Sequence, residues 1–210
     1  MRRIYVSCVM RLVIVMSLVP AVGALAATRE PDWSGLIEQA RSAAVWIVVD
    51  TSEGVSAGSG TLISPNGYIL TAAHVIEGAT KITVVVEESR EYDATVTEAD
   101  YNMDVALLKV SSTDLTWLAL GDSDEILYDE EIRVLGYPLP GAGVGFIAVA
   151  GTIQGFRIRS GVSLLQHDAP TEGGQSGGAV INSQGKMIAV HTSWIGGEPV
   201  SYTHLRAHET

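Results

Sequence analysis

Apolar residues come along this chain in short runs separated by glycine, proline and acidic turns, and a helical period is rare. Val45-Trp46-Ile47-Val48-Val49 is such a run, rich in the β-branched residues that suit a pleated, half-buried surface. Further strands are predicted at Gly60–Ser64, Tyr68–Thr71, Lys81–Glu87, Tyr92–Glu98 and Val105–Val110, with Ser64-Pro65-Asn66-Gly67 supplying the turn of one hairpin. A second series runs through Glu131–Gly136, Val144–Ile153, Val162–His167, Gly178–Asn182 and Lys186–Thr192. The polar stretch Ser111–Glu130 links the two sets, with Leu118–Leu120 expected to pack beneath it. Helical spacing shows only in Glu30–Ala44, behind the cap candidates Asp32 and Ser34, while Ala72–Ile76 reads as a single helical turn. Many short strands with glycine and proline turns predict an all-β fold of two barrels, about residues 45–115 and about 130–200.

Both ends stand apart from that pattern. Met1-Arg2-Arg3, the apolar run Leu12–Val19, Pro20 and the small-x-small Ala24-Leu25-Ala26 read as a secretory signal peptide, residues 1–26, cleaved after Ala26. The 16 residues from Leu12 to Ala27 fall short of the ~20 a membrane-spanning helix needs, so a retained anchor is the weaker reading. A bacterial periplasm or the exterior is the expected location, with no membrane insertion after cleavage. The one cysteine, Cys8, lies in the leader, so the mature domain is expected to hold together through its core alone. Loss of Arg2, Arg3 and Arg11 with the leader leaves 10 basic against 24 acidic side chains, a formal charge of −14. A field of that sign repels nucleic acid and anionic lipid and points to polypeptide partners, although solubility explains most of it. Ser201–Thr210 has little strand pattern and is expected to be an atypical tail, a truncated or spliced end that leaves the second barrel without its closing elements.

Candidate chemistry centres on Gly173-Gly174-Gln175-Ser176-Gly177-Gly178-Ala179. A serine between glycine pairs, followed by an apolar run, describes a hydroxyl on a tight turn leading into a buried strand. There the N–H groups of Gly174 and Ser176 could converge as an oxyanion hole. A serine needs a base and an orienting acid, and His74 and Asp104 both lie upstream in apolar settings. Taken singly, a Gly/Ser loop, a structural histidine and a turn aspartate explain the three residues as well. The G-x-S-x-G elbow of α/β-hydrolases also fits the glycines, but it requires an Asp or Glu and then a His after the serine; no Asp follows Ser176, only Glu198 and Glu209.

Four segments together are more specific: AGSGTLISPNGYILTAAHVI from Ala57, MDVALLKV from Met103, LALGDSD from Leu118 and GGQSGGAVIN from Gly173. They resemble the HtrA-type (Deg) branch of trypsin-like serine proteases, from about Val45 to about Thr192. The resemblance implies a chymotrypsin-like double β-barrel over residues 27–200 with its active site in the cleft between barrels. It implies His74 as general base, Asp104 as its orienting acid, Ser176 as nucleophile and the amides of Gly174 and Ser176 as oxyanion donors. Gln175 departs from the usual Asn of this family, and it cannot make the ion pair to a new N-terminus that activates digestive relatives.

By the same resemblance Ala189–Trp194 lies beside the primary specificity pocket, with His191, Thr192 and Ser193 as substrate-binding residues. His191 also resembles the pocket histidine of glutamyl endopeptidases, which sets a preference for Glu before the cut bond against the small aliphatic residue expected of HtrA-type enzymes. His167 is expected on a strand surface. Gly141-Ala142-Gly143-Val144-Gly145 has no following helix to make it a dinucleotide loop, and His204 and His208 have metal spacing without a third ligand. No metal or other cofactor is expected. The expected function is a secreted or periplasmic serine endopeptidase acting on exposed or unfolded protein segments, in a homo-oligomer that would be a trimer by family likeness. A chaperone-like polypeptide-binding module with little turnover is the alternative.

Overall fold

The computed structural model of this chain describes residues 31–138, 145–159, 161–195 and 198–202. The expected leader, most of the Gly141–Gly145 loop, and His204 and His208 lie outside the described residues. Helix α1, Trp33–Ala43, starts at Asp32, whose side chain accepts from the Gly35 N–H at 3.2 Å. Ala40 and Ala43 are its buried residues, small enough to let the helix lie close on the barrel below.

The first barrel is built from β1 (Ala44–Thr51), β2 (Gly54–Leu62), β3 (Tyr68–Thr71), β4 (Ala79–Val86), β5 (Arg90–Asp100) and β6 (Val105–Val110), closed in the order β1-β2-β3-β6-β5-β4. Period-two burial carries it: Val45, Ile47 and Val49 of β1 point inward, as do Ala106, Leu108 and Val110 of β6. Each such Leu or Ile withdrawn from water stabilises the fold by about 1.5–3 kcal/mol.

The second barrel comprises β7 (Glu131–Gly136), β8 (Ile147–Arg159), β9 (Val162–His167), β10 (Ala179–Ile181), β11 (Met187–Ile195) and β12 (Glu198–Tyr202), closed as β10-β11-β12-β9-β8-β7. Met187 and Val190 of β11 pack into the first apolar cluster, and Ile188 and Ala189 into the second. Buried on both faces, the first half of β11, Met187–Val190, reads in sequence as a continuous apolar run. Leu118 of the linker joins the first cluster, and the Met187 N–H donates to the Ala119 carbonyl at 2.9 Å.

Three differences from the sequence reading bear on the architecture. Strand β2 begins at Gly54, six residues earlier than expected, because its glycines and serines pair with β1 from Thr51↔Gly54 to Ala44↔Thr61 although they carry no apolar signal. Strand β8 runs on to Arg159; it pairs with β7 up to Thr152, then shifts register between Ile153 and Gly155 to pair with β9. The expected tail begins inside a strand: Ser201 pairs with His191 on one side and Leu165 on the other, so β12 closes the barrel that was expected to lack its final elements.

Candidate active site

His74 lies in a 3-10 turn, Ala73–Ile76, directly after β3. Ala73, Val75 and Ile76 are buried and anchor that turn, while the imidazole keeps 39% of its surface exposed. Asp104 ends the turn before β6 with φ 51°, left-handed backbone that Asp tolerates better than most side chains. The turn is set by Asp100, whose Oδ1 accepts from the N–H groups of Asn102 and Met103 at 2.8 and 3.0 Å. The Asp104 carboxylate meets His74 twice: Oδ2 is 2.7 Å from Nδ1, and Oδ1 accepts from the His74 backbone N–H at 2.8 Å. Ring and backbone of the histidine are thereby held by one acid. Burial pushes the Asp104 carboxyl up, but the bonds from the His74 ring, the Thr192 hydroxyl and the His74 backbone outweigh it and hold the group below its ordinary range.

Thr192, on β11, carries this pair across to the second barrel. Its hydroxyl donates a short hydrogen bond to Asp104 Oδ2, and its carbonyl accepts from Ser176 Oγ at 3.4 Å. His74, Asp104, Thr192 and Ser176 thus form one hydrogen-bonded chain across the seam. The serine hydroxyl is aimed at the Thr192 carbonyl; among the described residues no hydrogen bond joins it to His74.

The turn bearing Ser176 explains its glycines. Gln175 N–H donates to the Glu172 carbonyl at 3.3 Å and Gly174, third in that turn, has φ 96°, the arrangement of a type II turn. At Gly177, with φ 88°, a β-carbon would stand 2.1 Å from the Ser59 carbonyl and 2.2 Å from Thr71 Oγ1. Among the described residues no protein acceptor engages the N–H of Gly174 or Ser176, which leaves two neighbouring donors available to an oxygen. Gln175 is fully buried and its Oε1 accepts from the Glu172 N–H at 2.8 Å, so it braces the turn from inside.

The specificity residues lie otherwise than expected. Thr192 is 2% exposed and its hydroxyl is committed to Asp104. His191 is also 2% exposed and presents almost no surface to an incoming side chain. Ser193 lies on β11, with its side chain outside the description. His167, expected on a strand surface, is 1% exposed and faces His191 with ring centroids 5.4 Å apart. Strand alternation accounts for this correction: His167 stands two residues from Leu165 on β9 and shares the face that Leu165 buries in the second cluster. Ser59 and Thr71, which contact the Ser176 turn, carried no sequence signal beyond the glycines beside Ser59.

The sequence profile of the trypsin-like peptidase domain matches residues 58–190. A probable periplasmic serine endoprotease DegP-like protein of Chlamydia pneumoniae is 35% identical over 143 residues, covering 67% of this chain and 29% of that protein. The periplasmic pH-dependent serine endoprotease DegQ of Escherichia coli is 35% identical over 144 residues, covering 65% of this chain and 31% of that protein. The chain spans less than a third of the length of these relatives. Among solved structures, the HtrA-type protease AlgW with tripeptide superposes with TM-score 0.75 at 28% identity, covering 82% of this chain and 60% of that one. The serine endoprotease from Yersinia pestis gives 0.69 at 26% identity, covering 82% and 61%. With its two closed barrels, its seam-spanning hydrogen bonds and these matches, the chain belongs to the trypsin-like peptidase family, in the HtrA-type branch.

Proposed function

We propose that this chain is a serine endopeptidase that cuts exposed or unfolded polypeptide segments through an acyl-enzyme. The observation that carries the reading is the hydrogen-bonded chain from His74 through Asp104 and Thr192 to Ser176, beside two available N–H donors. Ser176 Oγ leaves its weak 3.4 Å bond to Thr192 by rotation about χ1 and turns to His74. The imidazole accepts the hydroxyl proton as oxygen attacks the peptide carbonyl, and Asp104 stabilises the imidazolium that results. The N–H groups of Gly174 and Ser176 receive the negative charge on the former carbonyl oxygen. His74 then gives its proton to the leaving amine, and water, deprotonated by the same ring, releases the acid.

A periplasmic or secreted location, a cleaved leader at residues 1–26 and a homo-oligomer belong to this proposal. The periplasmic relatives and the leader-like pattern of residues 1–26 support the location. For the residue before the cut bond, a small aliphatic side chain is preferred to Glu, because burying a carboxylate against the neutral, enclosed His191 is unfavourable. A fluorophosphonate probe tests the reading. Labelling of the wild type that disappears in Ser176→Ala is the expected result, and peptide binding without labelling favours the polypeptide-binding module instead.

A further inference from the structure

The turn that carries Ser176 belongs to the second barrel, yet its backbone is gripped from the first. Resting on the endopeptidase reading above, we propose that Ser59 of β2 is a positioning residue that holds the oxyanion donors of Gly174 and Ser176 in place. Ser59 is fully buried and every polar group it owns is engaged. Its N–H donates to the Ser176 carbonyl at 2.8 Å, and its Oγ donates to the Gly174 carbonyl at 2.8 Å. The same Oγ accepts from the Tyr137 N–H at 2.8 Å, and its carbonyl accepts from Thr71 Oγ1 at 2.7 Å.

A peptide plane carries its carbonyl and its N–H on opposite edges, so fixing one aims the other. The Gly174–Gln175 plane is held by Ser59 Oγ on the Gly174 carbonyl and by the Glu172 carbonyl on the Gln175 N–H at 3.3 Å. The Ser176–Gly177 plane is held by the Ser59 N–H and by the His191 carbonyl, which accepts from Gly177 at 2.6 Å. Between them lies the Gln175–Ser176 plane, whose carbonyl accepts from the Gly178 N–H at 3.0 Å and whose N–H is an oxyanion donor. Ser59 therefore clamps the planes on both sides of the one that must aim at the substrate. Its hydroxyl also fixes Gly174, whose own N–H is the second donor.

Removing the hydroxyl strands the Gly174 carbonyl and the Tyr137 N–H where Ser59 admits no solvent. Glycine has the backbone freedom to turn that carbonyl elsewhere, and the Gln175 N–H turns with it, away from the Glu172 carbonyl, which loosens the turn on which both donors stand. The consequence falls on the transition state, where the oxygen is charged, more than on substrate binding. Ser59 touches no substrate; it acts through the backbone of its neighbours.

The test compares wild type, Ser59→Ala and Ser59→Cys in the full chain, with kcat and KM measured per fluorophosphonate-titrated site. The expected result is a loss in kcat of about tenfold, the weight of one buried hydrogen bond, with KM unchanged within about twofold. Wild-type kcat in either folded variant overturns the proposal, as does a rise in KM alone. Ser59→Cys keeps the backbone bonds and puts a slightly bulkier, much weaker donor in place of the hydroxyl, so it carries the test if Ser59→Ala does not fold. Amide exchange at Tyr137 and Gln175 gives a readout independent of turnover: it should quicken in Ser59→Cys, and unchanged protection overturns the clamp. An unlabelled, inactive wild type refutes the endopeptidase reading by itself, while the exchange measurement still decides the role of Ser59.

Discussion

Two buried imidazoles make the stability of this fold fall in mild acid. His167 and His191 are 1% and 2% exposed and lie ring to ring. Burial lowers the pKa of His167 to about 4, against a smaller upward pull from Asp168. Burial, with the neighbouring His167 and His74, lowers that of His191 to about 3. In the unfolded chain each ring titrates near ~6.5. With the folded pKa the lower of the two, the unfolded chain binds the extra protons; stability is complete above ~6.5 and is lost as pH falls toward the folded values. Between pH 7 and 5 an unfolded ring takes up most of a proton while the folded ring stays neutral, which removes about 2 kcal/mol per ring and about 4 kcal/mol for the pair. That is a large part of the roughly 5–15 kcal/mol that holds a domain folded. Asp104 and Asp168, both held below the ordinary carboxylate range, act with the same sign only in stronger acid, so this window isolates the histidines. Guanidinium unfolding followed by tryptophan fluorescence at pH 7, 6 and 5 measures the slope. His167→Phe should remove about half of the fall whatever its stability at pH 7. A flat profile in the wild type, or an unchanged slope in the variant, refutes the argument.

Gly177→Ala places a β-carbon within 2.2 Å of two oxygens at φ 88°, a core collision expected to cost more than about 4 kcal/mol; circular dichroism and Tm should show a chain that is largely unfolded or melts far lower. Thr192→Val keeps the shape of the side chain and deletes its bond to Asp104, so the carboxyl rises toward its ordinary pKa and the histidine is held less firmly. A fall of about tenfold in kcat/KM at pH 7, with the fold intact, is expected, and an unchanged rate would show that Thr192 has no part in orienting the pair.

Much of the architecture was legible from local pattern. The alternation of Val45, Ile47 and Val49, the β-branched and apolar runs of β4, β6 and β9, and the polar interval between the two sets announced two β-barrels. The glycines around Ser176 announced a turn with left-handed backbone, and the short apolar flanks of His74 a buried helical turn. Strand β12 was not legible, because Glu198-Pro199-Val200-Ser201-Tyr202 has little strand pattern of its own and owes its extended form to pairing with β9 and β11. His167 was misplaced because its polarity suggested the outer face, whereas alternation sets it on the face of β9 that Leu165 buries in the core.

What the amino-acid order determined by itself was periodicity and turn chemistry, since those depend on a residue and its near neighbours. What only the tertiary structure decided was which polar groups meet at the seam: Thr192 with Asp104, and Ser59 with the carbonyl of Gly174, 115 residues away. Such bonds carry no local signature. A buried donor takes whichever acceptor the packing of both barrels leaves within reach, and that is fixed only when the chain has closed.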